Sequence, residues 1–133
     1  MFPYATAIYA AILGLLGAVL TVNVIVNRAR SNVTQGDGGV AALAQAIRAH
    51  CNFAEQTPLA IVLVGLVEGF GYRSMIVHGL GAVLLIGRLL SAWGLATTLT
   101  LSFGRNAGIS LTVLVVAVAS VLILCTGATT FMR

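Results

Sequence analysis

The sequence has 133 residues, of which 59% are hydrophobic and 8% are charged, with a mean hydropathy of +1.06. A soluble domain carries about 25% charged residues, so this composition excludes a soluble globular protein and indicates an integral membrane protein, with residues 1–133 as one domain. Seven arginines against three acidic residues give a net charge of +4. This excess is spread over loop ends, which is typical of membrane orientation and argues against a nucleic-acid partner.

Four apolar segments predict an all-α, four-helix bundle in the lipid bilayer, because each exceeds the roughly 20 residues that a membrane crossing needs. The first segment carries Ala10, Gly14 and Ala18 at four-residue spacing, a small-residue face that lets another helix approach closely. The second contains Pro58, which removes a backbone hydrogen bond and predicts a kink near Ala54. The predicted spans are 4–26, 40–68, 74–95 and 107–130.

A polar stripe interrupts the second segment. Gln45, Arg48, Asn52 and Glu55 step by three, four and three residues, so they share one face of a helix. A charge in hydrocarbon costs about 2.5–3.5 kcal/mol, so such a stripe is expected to face other helices or a wet cavity. It is either a functional site or a structural ion pair that locks helices together. The neighbouring Cys51, like Cys125, is expected to be a small buried residue.

The third segment carries Arg88 well inside its apolar run. At 1.5 Å per residue, Glu55 and Arg88 both lie roughly 10 Å from the same membrane edge, which predicts that they are partners. Together with Arg48, Asn52 and Arg105 they would form a polar pocket. Because its basic groups outnumber its one acid, this pocket would attract an anionic ligand with carboxylates.

The distribution of the arginines also predicts how the chain is oriented in the membrane. Four crossings put loops one and three on the same side, and these loops carry Arg28, Arg30 and Arg105. Arg73 and Arg133 lie on the other side. The positive-inside rule therefore favours cytoplasmic loops one and three and makes the predicted pocket open to the cytoplasm.

Several motifs resemble those of the MAPEG family, the membrane-associated proteins in eicosanoid and glutathione metabolism, and in particular its small bacterial inner-membrane branch. The resemblance covers essentially the whole chain. It is carried by the second-helix pattern Arg48-Ala49-His50-x-Asn52-x-x-Glu55-x-x-Pro58, by Gly36-Asp37-Gly38-Gly39 before it, by Gly87-Arg88-Leu89, and by Arg105-Asn106-Ala107-Gly108.

The resemblance implies a homotrimer of four-helix subunits that binds glutathione as a co-substrate between neighbouring subunits, with no metal. Arg105 resembles the catalytic arginine that stabilises the glutathione thiolate. The positions that match the family's glutathione-binding residues are Arg48, Asn52 and Glu55, with Arg88 lining the same site and Arg28 or Arg30 meeting a carboxylate.

Three positions depart from the family's eicosanoid-making members. Gln56, Ser91 and Leu95 stand where those members have tyrosines, so hydroxyl donors are missing. The leading hypothesis is a glutathione-dependent transferase or peroxidase acting on hydrophobic electrophiles or lipid hydroperoxides. The alternative is a non-catalytic protein of the same fold that binds lipid or another ligand. A small multidrug-type transporter is disfavoured, because helix one lacks the membrane-embedded carboxylate of that class.

Overall fold

The computed structural model describes residues 2–97 and 103–131. Over these residues the chain is all-helical, which confirms the predicted fold class. The middle of the third predicted connection, 98–102, lies outside the described residues. The helices are α1 (Tyr4–Ser31), α2 (Ala41–Gly69), α3 (Ser74–Thr97) and α4 (Phe103–Phe131).

Three of these helices are long and apolar enough to cross a membrane: α1, α3 and α4. Their outer surfaces carry large apolar side chains such as Leu15, Trp93 and Leu124, each more than 60% exposed. Exposed apolar surface on this scale fits contact with lipid rather than water. The helix α2 carries the polar stripe, and its crossing of the membrane stays a prediction.

The helices α2 and α3 each pack against all three of the other helices. Its buried residues Ala60 and Val64 lie in one apolar cluster with Leu13 of α1, Leu84 of α3 and Val115 of α4. The helix continues through Pro58. This arrangement leaves the stripe residues of α2 between the ends of α3 and α4.

The helices α3 and α4 approach each other closely at a pair of glycines. A Cβ atom added to Gly108 would meet the carbonyl oxygen of Gly87 and the hydroxyl of Ser91. The Thr112 hydroxyl donates to the Gly108 carbonyl at 3.0 Å. Only glycine at this crossing allows the two backbones to come so close. The contact also brings the Gly108 carbonyl within reach of the residue after Gly87, which is Arg88.

The start of α1 is held by an acid from the far end of α2. The two carboxylate oxygens of Glu68 accept hydrogen bonds from the backbone N–H groups of Ala5 at 2.9 Å and Thr6 at 2.7 Å. Pro3, the residue before α1, makes no side-chain cap of its own. Glu68 therefore satisfies two otherwise unpaired helix donors and places a negative charge at the positive end of the helix dipole.

Candidate functional site

A polar cleft of about 230 Å³ opens at the end of the bundle where α2 and α4 begin and α3 ends. Four residues that the sequence assigned to the site meet there: Arg48, Asn52, Glu55 and Arg105. We call this the Arg48–Arg105 cleft. Its lining residues in the described chain are Arg48, Cys51, Asn52, Glu55, Leu95 and Arg105.

Local helix geometry explains the α2 wall of the cleft. Arg48, Asn52 and Glu55 are separated by four and three residues, so they lie above one another on one face. Gln45, one turn earlier on the predicted stripe, does not line the cleft. The α4 wall depends on the start of that helix at Phe103, earlier than the predicted 107, which puts Arg105 in the first turn.

The cleft carries a net positive charge. Its lining includes two guanidinium groups, from Arg48 and Arg105, against one carboxylate, from Glu55, together with the Asn52 amide. Guanidinium groups bind carboxylates in two-pronged geometry. The Glu55 carboxylate is exposed and can accept hydrogen bonds from an ammonium group. The arrangement suits a ligand with at least two anionic or carbonyl groups and one cationic group.

Arg88 lies beneath the cleft rather than in its wall. Its side chain is 1% exposed. One terminal nitrogen, Nη1, donates to Oδ1 of Asn52 at 3.2 Å, and the other, Nη2, donates to the Ser91 hydroxyl and the Gly108 carbonyl, both at 3.2 Å. All three partners are neutral oxygens. Arg88 thus joins α2, α3 and α4 directly under the Asn52 side chain.

The predicted partnership of Glu55 with Arg88 is wrong, because Arg88 bonds Asn52 instead. The sequence-based depth estimate took the helix ends to be near Arg48 and Leu95. In the structure α2 begins at Ala41 and α3 continues to Thr97. Measured from those ends, Asn52 matches the depth of Arg88 better than Glu55 does. The role of Arg88 in a glutathione site stays a prediction. Arg88 contacts the cleft through Asn52, which it bonds and which lines the cleft.

The arginines at the end of α1 lie apart from the cleft. The Nη1 atom of Arg28 donates to backbone carbonyls of the following loop, those of Val33, Thr34 and Gly36, at 3.5, 3.2 and 3.0 Å. Arg30 is exposed in the last turn of α1. Neither lines the Arg48–Arg105 cleft of its own chain. Their predicted contact with a glutathione carboxylate stays a prediction, one that needs a neighbouring subunit.

Cys51 lines the cleft and was not predicted for the site, whereas Leu95 was expected near it only as a position where the eicosanoid-making members have tyrosine. The expectation that Cys51 and Cys125 are buried is wrong, since both are exposed. The spacing held a signal for Cys51, because it follows Arg48 by three residues and so shares the face of the stripe. Leu95 comes from α3, and no sequence spacing indicates which part of α3 approaches Arg48. Within residues 2–97 and 103–131, no group of three or more His, Cys, Asp or Glu side chains could hold a metal ion.

These features define an all-helical membrane protein with a positively charged cleft at one end of the bundle. Comparison with known proteins gives the same class. The sequence model of the MAPEG family matches residues 6–125, and the chain belongs to that family. It is 40% identical over 89 residues, covering 67% of this chain and 68% of the relative, to the inner membrane protein YecN of Escherichia coli K12. The inner membrane protein YecN of Escherichia coli O6:H1 matches with the same identity and coverage.

Proposed function

We propose that the chain is an inner-membrane transferase or peroxidase that uses glutathione as its co-substrate. The observation that carries the proposal is the convergence of Arg48, Asn52, Glu55 and Arg105 on one cleft. Glutathione offers two carboxylates, peptide carbonyls and one ammonium group, and the cleft offers two guanidinium groups, an amide and one carboxylate. The ammonium pairs with Glu55, and the carboxylates pair with arginine.

The catalytic role falls to Arg105. A free thiol has a pKa of about 8.5 and is only a few per cent thiolate at neutral pH. A guanidinium beside the sulfur favours the anion, and each unit by which it lowers the thiol pKa corresponds to about 1.4 kcal/mol. Arg105 is suited to this position because it enters the cleft from the first turn of α4, opposite the α2 wall.

The second substrate is a hydrophobic small molecule that reaches the cleft from the bilayer. In the transferase reaction the thiolate attacks an electrophilic carbon, a carbon–sulfur bond forms, and the leaving group departs with its electron pair. In the peroxidase reaction two glutathione molecules supply two electrons, so a lipid hydroperoxide becomes an alcohol and water while glutathione disulfide forms. Both reactions need the same ionised thiol.

The assembly and orientation belong to the same proposal. In a homotrimer, Arg28 or Arg30 of a neighbouring subunit supplies a further guanidinium for a glutathione carboxylate. Loops one and three face the cytoplasm, where glutathione is available. The inner-membrane location is supported by the relatives, which are inner membrane proteins by name, and by three helices apolar enough to cross a membrane.

The test is ionisation of the bound thiol. Glutathione is added to the purified protein in detergent, and thiolate absorbance is followed as a function of pH. The expected result is thiolate at a pH where free glutathione is protonated, lost in Arg105→Ala and kept in Arg73→Ala, an exposed arginine at the other end of the bundle. Conjugation of chlorodinitrobenzene should follow the same pattern. Bound glutathione with an unshifted thiol would overturn the catalytic proposal.

A second candidate is a non-catalytic protein that binds lipid or another ligand. It is favoured by the lack of a hydroxyl group among the described lining residues of the cleft. The Ser91 hydroxyl, at one of the positions where the eicosanoid-making members have tyrosine, is buried and accepts a hydrogen bond from Arg88. Binding without thiol ionisation is the result that would select this candidate.

A further inference from the structure

We infer that Arg88 is a positioning residue that fixes the orientation of the Asn52 amide and so decides which ligand group the cleft accepts there. The inference rests on the proposed function for the identity of the ligand, but the contact itself is independent of it. Asn52 lines the Arg48–Arg105 cleft, whereas Arg88 lies behind it and is almost fully buried.

The orientation follows from the chemistry of the two groups. A guanidinium carries hydrogen-bond donors and no acceptor, so the Asn52 atom that faces Arg88 has to be the carbonyl oxygen Oδ1. An amide that turned over would place its NH₂ group against the donor Nη1 of Arg88 and leave both groups unsatisfied. Oδ1 is therefore committed to Arg88, and Nδ2 is left for the cleft.

Arg88 itself cannot turn away from Asn52. Its other terminal nitrogen is held by the Ser91 hydroxyl one turn along α3 and by the Gly108 carbonyl of α4. The Gly108 carbonyl is within reach because Gly87 and Gly108 let the two backbones approach. The close contact of α3 with α4 thus fixes the guanidinium, and the guanidinium fixes the Asn52 amide.

The consequence is a cleft that offers donors on three sides. With Nδ2 of Asn52 facing inward, Arg48, Arg105 and Asn52 all donate, and Glu55 is the acceptor. A carbonyl or carboxylate oxygen is therefore selected next to Asn52, and an ammonium or amide N–H is rejected there because two donors would meet. This pattern narrows the ligand to one whose only strong donor lies beside Glu55.

A double-mutant cycle tests whether Arg88 acts through Asn52. Glutathione binding is measured by calorimetry for wild type, Asn52→Ala, Arg88→Gln and the double variant. Each single substitution is expected to weaken binding about tenfold, and the double variant should be no weaker than either single one. Arg88→Lys keeps a charged donor and should recover most of the affinity. Losses that multiply in the double variant would overturn the inference.

Ser91→Ala is the matched control. It removes one of the two partners of Nη2, while the Gly108 carbonyl still holds that nitrogen and the bond to Asn52 remains. A purely structural role of Arg88 predicts that Ser91→Ala and Arg88→Gln weaken binding in proportion to their loss of thermal stability. The positioning role predicts that Ser91→Ala lowers the melting temperature but leaves the affinity for glutathione within about twofold.

A measurement without ligand separates this inference from the proposed function. In protein labelled with ¹⁵N-asparagine, the side-chain NH₂ signals of Asn52 are assigned by their loss in Asn52→Ala. These signals should shift in Arg88→Gln and stay in place in Ser91→Ala. An Asn52 signal that is unchanged in folded Arg88→Gln would overturn the positioning role. If wild type binds no glutathione but the signals behave as expected, the proposed function fails and the inference stands.

Discussion

The helix α2 carries two glutamates, Glu55 in its middle and Glu68 at its end, and the two carboxylates are used in opposite ways. Glu68 is half-buried at the end of α2, and both of its oxygens accept backbone hydrogen bonds from the start of α1. Glu55 is exposed and lines the Arg48–Arg105 cleft together with two arginines. The same side chain on the same helix therefore caps a neighbouring helix at position 68 and lines an open cleft at position 55.

This difference separates structure from function within one helix. Near Glu68 many polar groups are bonded within the chain, and the hydroxyls of Tyr9 and Tyr72 also have partners there. At the cleft, the buried Arg88 is bonded to its own chain, and Arg48, Glu55 and Arg105 line the opening. An acid that the chain already uses is expected to matter for stability, and an acid that faces a cleft is expected to matter for binding.

The largest expected loss of stability comes from a substitution at the α3–α4 contact next to Arg88. Gly108→Ala places a methyl group against the Gly87 carbonyl and the Ser91 hydroxyl, which forces α3 and α4 apart. Overpacking of this kind costs about 1–3 kcal/mol, and the upper end applies because a backbone carbonyl cannot rotate away. Thermal unfolding in detergent measures the loss.

The matched control is Gly127→Ala on the same helix, where no atom lies within 4 Å of the added methyl group. Alanine has a higher helix propensity than glycine, so this variant should be unchanged or up to about 1 kcal/mol more stable. Equal destabilisation by both substitutions would show that the α3–α4 contact is not the cause.

The next largest effect is a difference in stability between variants of the two glutamates. Glu68→Ala removes both bonds to the start of α1 and should lower stability by about 1–2 kcal/mol, the usual value of a helix cap. Glu55→Ala should change stability by less than about 0.5 kcal/mol, as for most exposed substitutions. Unfolding of the two variants in one detergent tests both expectations, and a larger loss for Glu55→Ala would reverse the assignment.

A binding effect of about tenfold is expected from the arginines of the cleft. Arg48→Ala removes a guanidinium from the cleft wall, and a hydrogen bond to a charged group contributes about 1.5–3 kcal/mol. Arg73→Ala removes an exposed arginine from the opposite end and should leave affinity unchanged. Calorimetry with glutathione at two salt concentrations measures both. An equal loss in the two variants would mean that net charge, not the cleft, attracts the ligand.

The smallest expected loss of stability is at the end of the bundle that contains Glu68. The Tyr9 hydroxyl lies 3.3 Å from Nδ1 of His78 and donates to the His78 carbonyl at 3.2 Å. Tyr9→Phe should lower stability by about 0.5–1 kcal/mol, the net value of a hydrogen bond, without changing ligand binding. Tyr4→Phe, at a side chain that is 72% exposed, is the matched control and should have no effect.

Features that follow from local spacing could be predicted from the sequence. Four apolar runs gave four helices, and the spacing of Arg48, Asn52 and Glu55 put them on one face because helix geometry is local. Arg105 met them as expected.

Features that depend on packing between helices could not be predicted. The bond of Glu68 to the start of α1 joins residues 62 apart in the sequence, and no local pattern indicates it. Arg88 bonds Asn52 rather than Glu55, and this choice depends on how α3 packs against α2, which no local spacing indicates. Attraction between opposite charges did not predict this contact, since both terminal nitrogens of the buried guanidinium donate to neutral oxygens.

The most direct test of the account is calorimetric titration of glutathione into the purified wild-type protein, with Arg48→Ala, Glu55→Ala and Glu68→Ala beside it. The expected result is millimolar or tighter binding that Arg48→Ala and Glu55→Ala each weaken about tenfold and that folded Glu68→Ala keeps. An absence of binding in well-folded wild-type protein, or equal binding by Glu55→Ala and wild type, would contradict the claim that the Arg48–Arg105 cleft is a glutathione site.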